Sequence, residues 1–397
     1  MTANNTLSKT ISITLGFSAA WYLATHLTLR GSVAAGPILI FSLFALVAWL
    51  FSKEKAGFRQ LTTNEKLWAL LLFLFGTWSA FTVWLDSGAT NLYEVPAKFI
   101  VGSLIAIPLL AKGINLNWIK VGVLAGCSIL AYLIISSYGG GGRFSPIMNA
   151  TKWGNAVAFQ TLLTFCIAVI EKNRAQKILF LTLGIGGIYA TLITGTRGAT
   201  LPLIAAPLAL AFIYRKSLNL KYLLGGLVSL VIIITIASQL TIVQSRMSNT
   251  FSDFKQMEND NHYTSIGIRL TMWRAGIQAA IHSPLAGHGY DFKSVFTNYE
   301  APTPGLAHAA DRIGDSFRLF HSAYIDTLVK TGFVGFFLFL GLLATGFWSG
   351  KKYKMLICMA PTVGFSAAGL TDSALALGIT STYLIVAGTI LKATRVD

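Results

Sequence analysis

Charge is scarce in this chain, and acid is scarcer than base. Of 397 residues only 12% are charged, and 15 Asp and Glu stand against 31 Lys and Arg. Soluble domains carry roughly 25% charged residues, so this balance excludes an ordinary soluble globular protein. Cysteine is nearly absent: Cys127, Cys166 and Cys358 all fall in apolar runs. That excludes a disulfide framework and any Cys/His metal spacing. The apolar runs themselves lack mid-run Asp, Glu, His or Arg, which a proton- or ion-coupled transporter needs near mid-membrane. No D-x-D or H-E-x-x-H pattern occurs either.

What is abundant is hydrophobic length. A spanning helix needs about 20 mostly apolar residues. The pattern predicts an all-α integral membrane protein of about twelve spans: 11–29, 33–51, 67–85, 96–111, 118–137, 153–170, 178–194, 199–214, 222–243, 331–349, 354–371 and 373–391. The chain is expected to be one polytopic domain, 1–397, with a single large loop at 244–320 between spans nine and ten. The net charge of +16 is distributed as topology rather than as a nucleic-acid surface. Alternate connections hold most of the Lys and Arg, among them Lys53, Lys55, Arg59, Lys66, Arg215, Lys216, Lys351 and Lys352. The short intervening ones hold only Arg30, Lys98, Arg143, Lys152 and Arg197. By the positive-inside bias both termini are cytoplasmic and the loop lies outside.

Five of the six histidines fall between His262 and His321, inside or at the edge of that loop. Chemistry in a bilayer-embedded chain is confined to places that reach water or a protein-lined cavity, so the loop and the adjoining membrane face are where a site is expected. Residues 265–282 repeat apolar positions at helical spacing, with Ser265 as N-cap and Pro284 as stop. On that helix Arg269, Trp273 and Gly276 share a face, and Arg274 points elsewhere, toward solvent or headgroups. A Gly-punctuated turn, PLAGHGYDF, follows, and 292–310 reads as irregular. A second helix is expected to start near Asp311 or Asp315 and to carry Arg318, His321 and Tyr324 on one face.

Each candidate has a plain and a chemical reading. Arg197, in the two-glycine corner Thr194-Gly195-Thr196-Arg197-Gly198, is either an interfacial snorkelling side chain or an anion clamp. Arg269 is either a solvated helix charge or a phosphate contact. His321 is either an interfacial side chain paired with a loop carbonyl or a base near neutral pKa. His262, His282, His288 and His308 fit structural roles better. Gly139–Gly142 reads as a hinge, with Arg143 and Lys152 beside it as possible anion contacts. The loop acids are scattered, so no metal is expected, and an enzyme handling phosphate here would rely on Arg and Lys.

These motifs, in this order, resemble the O-antigen ligase family: the Thr-Gly-Thr-Arg-Gly corner at 194–198, Gly267-Ile268-Arg269-Leu270, Pro-Leu-Ala-Gly-His-Gly at 284–289, and His321-Ser322 before the next span. The resemblance covers roughly 190–335 by motif and the rest by topology. It implies a multi-pass protein of the bacterial inner membrane with a GT-C-like architecture and a periplasmic active site. The implied reaction is metal-independent, inverting transfer of O-antigen from undecaprenyl diphosphate to a sugar hydroxyl of lipid A–core, with no cofactor. The bilayer is a partner; nucleic acid and an obligate protein partner are not. It makes Arg197, Arg269 and His321 the catalytic candidates, and Arg143, Lys152, Arg318 and Tyr324 weaker substrate-binding ones. O-antigen polymerases and protein O-oligosaccharyltransferases look similar at this level, and a polysaccharide or lipid transporter is the rival of another class.

Overall fold

The computed structural model describes residues 3–29, 31–51, 58–86, 89–139, 143–214, 235, 238–239, 241–316, 319–347, 352–373 and 378–395. Long helices dominate, as the apolar runs require: α1 (Ala3–Thr25), α2 (Gly31–Phe51), α3 (Thr63–Asp86), α4 (Glu94–Lys112), α5 (Leu116–Ser137), α6 (Ala150–Ile170), α7 (Arg174–Ile193) and α8 (Arg197–Tyr214). The loop contributes α9 (Thr241–Glu258), α10 (Ser265–His282), α11 (Phe292–Thr297) and α12 (Pro304–Ser316). The chain then continues through α13 (Ala323–Ala344), α14 (Lys352–Gly369), α15 (Gly378–Thr382) and, after a π turn at Tyr383–Ala387, α16 (Gly388–Ala393).

Among the described residues seven helices are long and apolar enough to cross a membrane: those at 33–51, 63–86, 90–112, 116–137, 150–170, 174–193 and 323–347. Shorter apolar helices cover 198–209 and 356–369. Most of the ninth expected span, 222–243, lies outside the described residues. Side chains such as Ile40, Trp84 and Ile135, each more than 60% exposed, clothe the outer surface as lipid-facing residues do. Small residues set the closest approaches inside: a Cβ on Gly122 would stand 2.7 Å from the Ala20 backbone, so α1 and α5 touch there. Helix α6 is the most buried candidate span, and α7, α8 and α14 pack around it.

The loop is folded rather than irregular. It has its own core of Met272, Phe292, Phe296, Ile313 and Phe320. Asp291 caps α11 and Pro304 opens α12, so 292–310 holds one short helix and the start of another. Helix α10 occupies 265–282 as expected, but its cap is Thr264, whose side chain accepts from the Gly267 amide at 3.1 Å. The expected second helix is corrected more strongly. Helix α12 begins at Pro304 and ends at Ser316, and α13 begins at Ala323, eight residues before the expected tenth span. Between them His321 stands outside any helix at φ 51°. Ser322 caps α13, its side chain accepting from the Ile325 amide.

At the opposite end of the bundle, Ile114 and Asn115 pair in parallel with Thr394 and Arg395. There the buried Glu65 accepts from Arg59 at 2.6 Å and from Arg395 at 3.3 Å.

Candidate functional site

The corner at 194–198 is held from three sides. Thr194 ends α7, and its hydroxyl donates to the Thr191 carbonyl and accepts from the Thr196 amide. The Thr196 hydroxyl donates to the Ala150 carbonyl at the start of α6. Arg143 donates through Nε to the Thr194 carbonyl at 3.1 Å and through Nη2 to the Thr196 hydroxyl at 3.2 Å. Arg143 thus grips the corner itself. The expectation for the Arg197 side chain lies outside the described side chains; its backbone opens α8. The next residue, Gly198, is fixed in place, since a Cβ there would stand 2.6 Å from the Thr371 hydroxyl oxygen.

That contact leads to a buried acid near the end of α14 that the sequence motifs do not single out. Asp372 follows Thr371, is 4% exposed, and its Oδ2 accepts from Asn155 Nδ2 of α6 at 2.9 Å. Burial pushes its carboxyl up to about 6; the negative charge of Asp326 adds to this, and Arg269, the Ser373 amide and Asn155 oppose it. Arg269 also acts on His321. The half-buried imidazole is held below its ordinary pKa by burial first and by the Arg269 charge second, with Asp326 pulling the other way. Arg269, His321, Asp372 and Asp326 therefore share one electrostatic neighbourhood, although they are up to 103 positions apart in sequence. Lys152 lies one turn before Asn155 on α6, half-buried.

Helix α10 sets this neighbourhood. Its Arg269–Trp273–Gly276 face meets the bend before α13: Trp273 Nε1 donates to the Phe320 carbonyl at 3.0 Å, and Gly276 packs on Phe320 and Ile325. Arg269 Nη1 donates to the Ser265 carbonyl and hydroxyl at 2.7 and 3.1 Å, which anchors the guanidinium over the first turn. Asp326, 2% exposed, accepts from the Phe320 amide at 3.2 Å and from Lys330 Nζ at 3.1 Å. The left-handed backbone at His321 is thus braced from both neighbouring helices, and strain of this kind gathers at functional sites. Ser322 donates to the Gly369 carbonyl, bringing the bend against the segment that leads to Asp372.

The remaining candidates separate. His321 and Tyr324 do not share a helical face, because His321 is not helical. The Tyr324 hydroxyl donates to the Ser366 carbonyl at 3.0 Å and braces α14. Arg318 lies outside the described residues, as do 140–142 of the glycine run. His262 bonds Asp260, His282 bonds the Gln278 carbonyl and His288 bonds Ser294, all local structural partners. The PLAGHG turn is a joint: the His288 amide donates to the Val329 carbonyl at 2.6 Å and the Phe333 amide to the Pro284 carbonyl at 2.7 Å. Among the described residues no group of three or more His, Cys, Asp or Glu is placed to hold a metal ion.

The fold and this cluster define a multi-pass helical membrane protein with a polar, cation-bearing site where one folded loop meets the helix ends. Residues 178–340 match the family model described as O-antigen ligase, which bears out the resemblance carried by the motifs. The matched segment runs from α7 into α13 and contains Arg197, Arg269 and His321; Asn155 and Asp372 lie outside it. Over 85% of its length the chain is 22% identical to an uncharacterized protein of Haemophilus influenzae, covering 84% of that protein. Over 52% of its length it is 25% identical to an O-antigen ligase of Escherichia coli K12, and spans 49% of that ligase.

Proposed function

We propose that the protein is an O-antigen ligase that transfers glycan from undecaprenyl diphosphate to a sugar hydroxyl of lipid A–core. The reading sets the site on the periplasmic face of the inner membrane, on a GT-C-like scaffold of about twelve spans with both termini cytoplasmic. The single observation that carries it is the convergence of Arg269, His321 and Asp372 beside the Arg197 corner, within a chain that matches the ligase family. In this reading His321, held neutral at pH 7, accepts the proton of the acceptor hydroxyl. The freed oxygen attacks the anomeric carbon from the face opposite the diphosphate. The bond from that carbon to the diphosphate breaks, and its electron pair leaves with undecaprenyl diphosphate. Arg197 and Arg269 bind the diphosphate and stabilise its growing charge, since planar guanidinium matches phosphate oxygens in pairs. Asp326 stabilises the imidazolium that forms, Asp372 lies against the Arg269 charge, and Lys152 is a further anion contact.

The test is product analysis by the purified protein in liposomes with lipid-linked glycan and lipid A–core. Glycan joined to lipid A–core, formed equally in excess EDTA, supports the reading. Longer lipid-linked chains without that product make the protein a polymerase, and activity that EDTA abolishes and Mg²⁺ restores removes the metal-free step.

A further inference from the structure

Helix α10 carries a second face, turned away from the site. Arg274, Ile277, Ile281 and Leu285 follow one another at helical spacing along it and onto the turn beyond. Ile277 is 46% exposed, Ile281 68% and Leu285 71%. A protein seldom leaves so regular an apolar row to water.

The register between α10 and α13 shows where this row lies. Trp273 meets Phe320, Gly276 meets Ile325, and Pro284 meets Phe333. The two helices therefore run side by side in the same direction, and α10 descends along the first part of α13. That part belongs to the apolar run 323–347, 25 residues long. At about 1.5 Å per residue the run measures ~37 Å, against a hydrocarbon core of ~30 Å. Phe333 lies ~15 Å from its loop-side end. Even with all the surplus length above the membrane, the Pro284–Phe333 contact falls ~8 Å below the hydrocarbon edge. The neighbouring α3 agrees: its Trp84 and Leu85 are exposed, and Asp86 ends the helix against Gly289 and the Tyr290 amide. Of the charges here, Lys330 is matched to Asp326 on the same helix, and Asp86 accepts from the Tyr290 amide. Arg274 stands ~10 Å above Ile281 along α10, at the height of phosphate headgroups, where a long cationic side chain belongs.

We infer that the lower half of α10 and the turn 283–289 are sunk into the loop-side leaflet, with Ile277, Ile281 and Leu285 against phospholipid acyl chains and Arg274 at the headgroups. The loop is then anchored in the membrane, and the helix that carries Arg269 is fixed in height relative to it. The inference concerns membrane seating and does not depend on the reaction.

The chain's three cysteines, Cys127, Cys166 and Cys358, are all buried, which favours selective labelling of new ones. A nitroxide is placed at Ile281→Cys, at Leu285→Cys and, as a water-exposed control in the loop, at Glu300→Cys, with the full chain in phospholipid liposomes. Collision with oxygen, which concentrates among acyl chains, is compared with collision with a water-soluble nickel chelate. Seating in the leaflet gives oxygen dominance at 281 and 285 and nickel dominance at 300. Nickel access at 281 and 285 equal to that at 300 overturns the inference, and so does low access to both reagents, as a second copy packed on the row gives. Each position reports separately, so one poorly folding variant leaves the other to decide.

Discussion

Asp372 holds a carboxyl where burial and a neighbouring acid oppose its charge, and the protein tolerates that for a reason other than stability. Its pKa is raised in the folded chain from an ordinary 3.8 to about 6. The folded state therefore binds more protons than the unfolded one across this window. The contribution of this group to stability is most favourable below about pH 4, declines as pH rises to about 6, and carries the full penalty above. Two units correspond to about 3 kcal/mol. Asp372→Asn, which keeps a group able to accept from Asn155, is expected to raise stability by about 1–3 kcal/mol at pH 7.5 while lowering transfer. Thermal unfolding in detergent at pH 7.5 and pH 4 checks it: the gain is present at the first and absent at the second. An unchanged midpoint at pH 7.5 contradicts this account of the residue. No sequence motif singles out this aspartate. Its partner Asn155 is 217 positions away inside an apolar run, and no periodic pattern joins two such residues.

At the scale of elements, the joint between α10 and α13 governs the site. Helix α13 is broken at Gly332, with φ 63° and ψ −169°, a conformation open essentially to glycine. The break lets the Leu285 carbonyl approach, and Trp78 Nε1 donates to the Thr331 carbonyl at 2.8 Å beside it. Gly332→Ala adds both backbone strain and a clash with Leu285. It is expected to destabilise the protein by about 2 kcal/mol or more and to reduce transfer, though it touches no proposed substrate. Unfolding and transfer rates like those of the unaltered protein show that the joint does not matter. Helix α10 was legible from sequence to within one residue, its cap falling at Thr264 rather than Ser265, because its apolar stripe is local and Pro284 stops it. The bend at His321 was not. Its backbone is set by Asp326, six residues on from Phe320, and by Trp273, whose contact exists only once α10 lies against α13, and local propensity there favoured continuing a helix. The same contacts replaced the expected Arg318–His321–Tyr324 face by a bend at which the Arg269 charge acts on His321.

At the scale of the molecule, the polar cluster lies where the loop meets the ends of α6, α8, α13 and α14, at the end of the bundle remote from the Glu65–Arg59–Arg395 contact. In the proposed topology, which the Lys and Arg bias favours, that end lies outside the cytoplasm. Cysteines introduced at loop positions such as Glu300 are expected to react with an impermeant reagent in intact spheroplasts, and cysteines near Lys216 are not; the opposite pattern reverses the topology. The central claim is that Arg269 serves the donor diphosphate and His321 the acceptor. It is tested most directly by measuring ligation rate and donor affinity together for Arg269→Ala, Arg269→Lys, His321→Ala and Arg274→Ala at equal abundance. Losing a charge-assisted hydrogen bond of about 1.5–3 kcal/mol slows turnover roughly ten- to a hundredfold. The account predicts that loss for Arg269→Ala together with weaker donor binding, partial recovery in Arg269→Lys, loss of ligation with donor binding intact in His321→Ala, and near-normal turnover in Arg274→Ala. Normal ligation by Arg269→Ala and His321→Ala would contradict it.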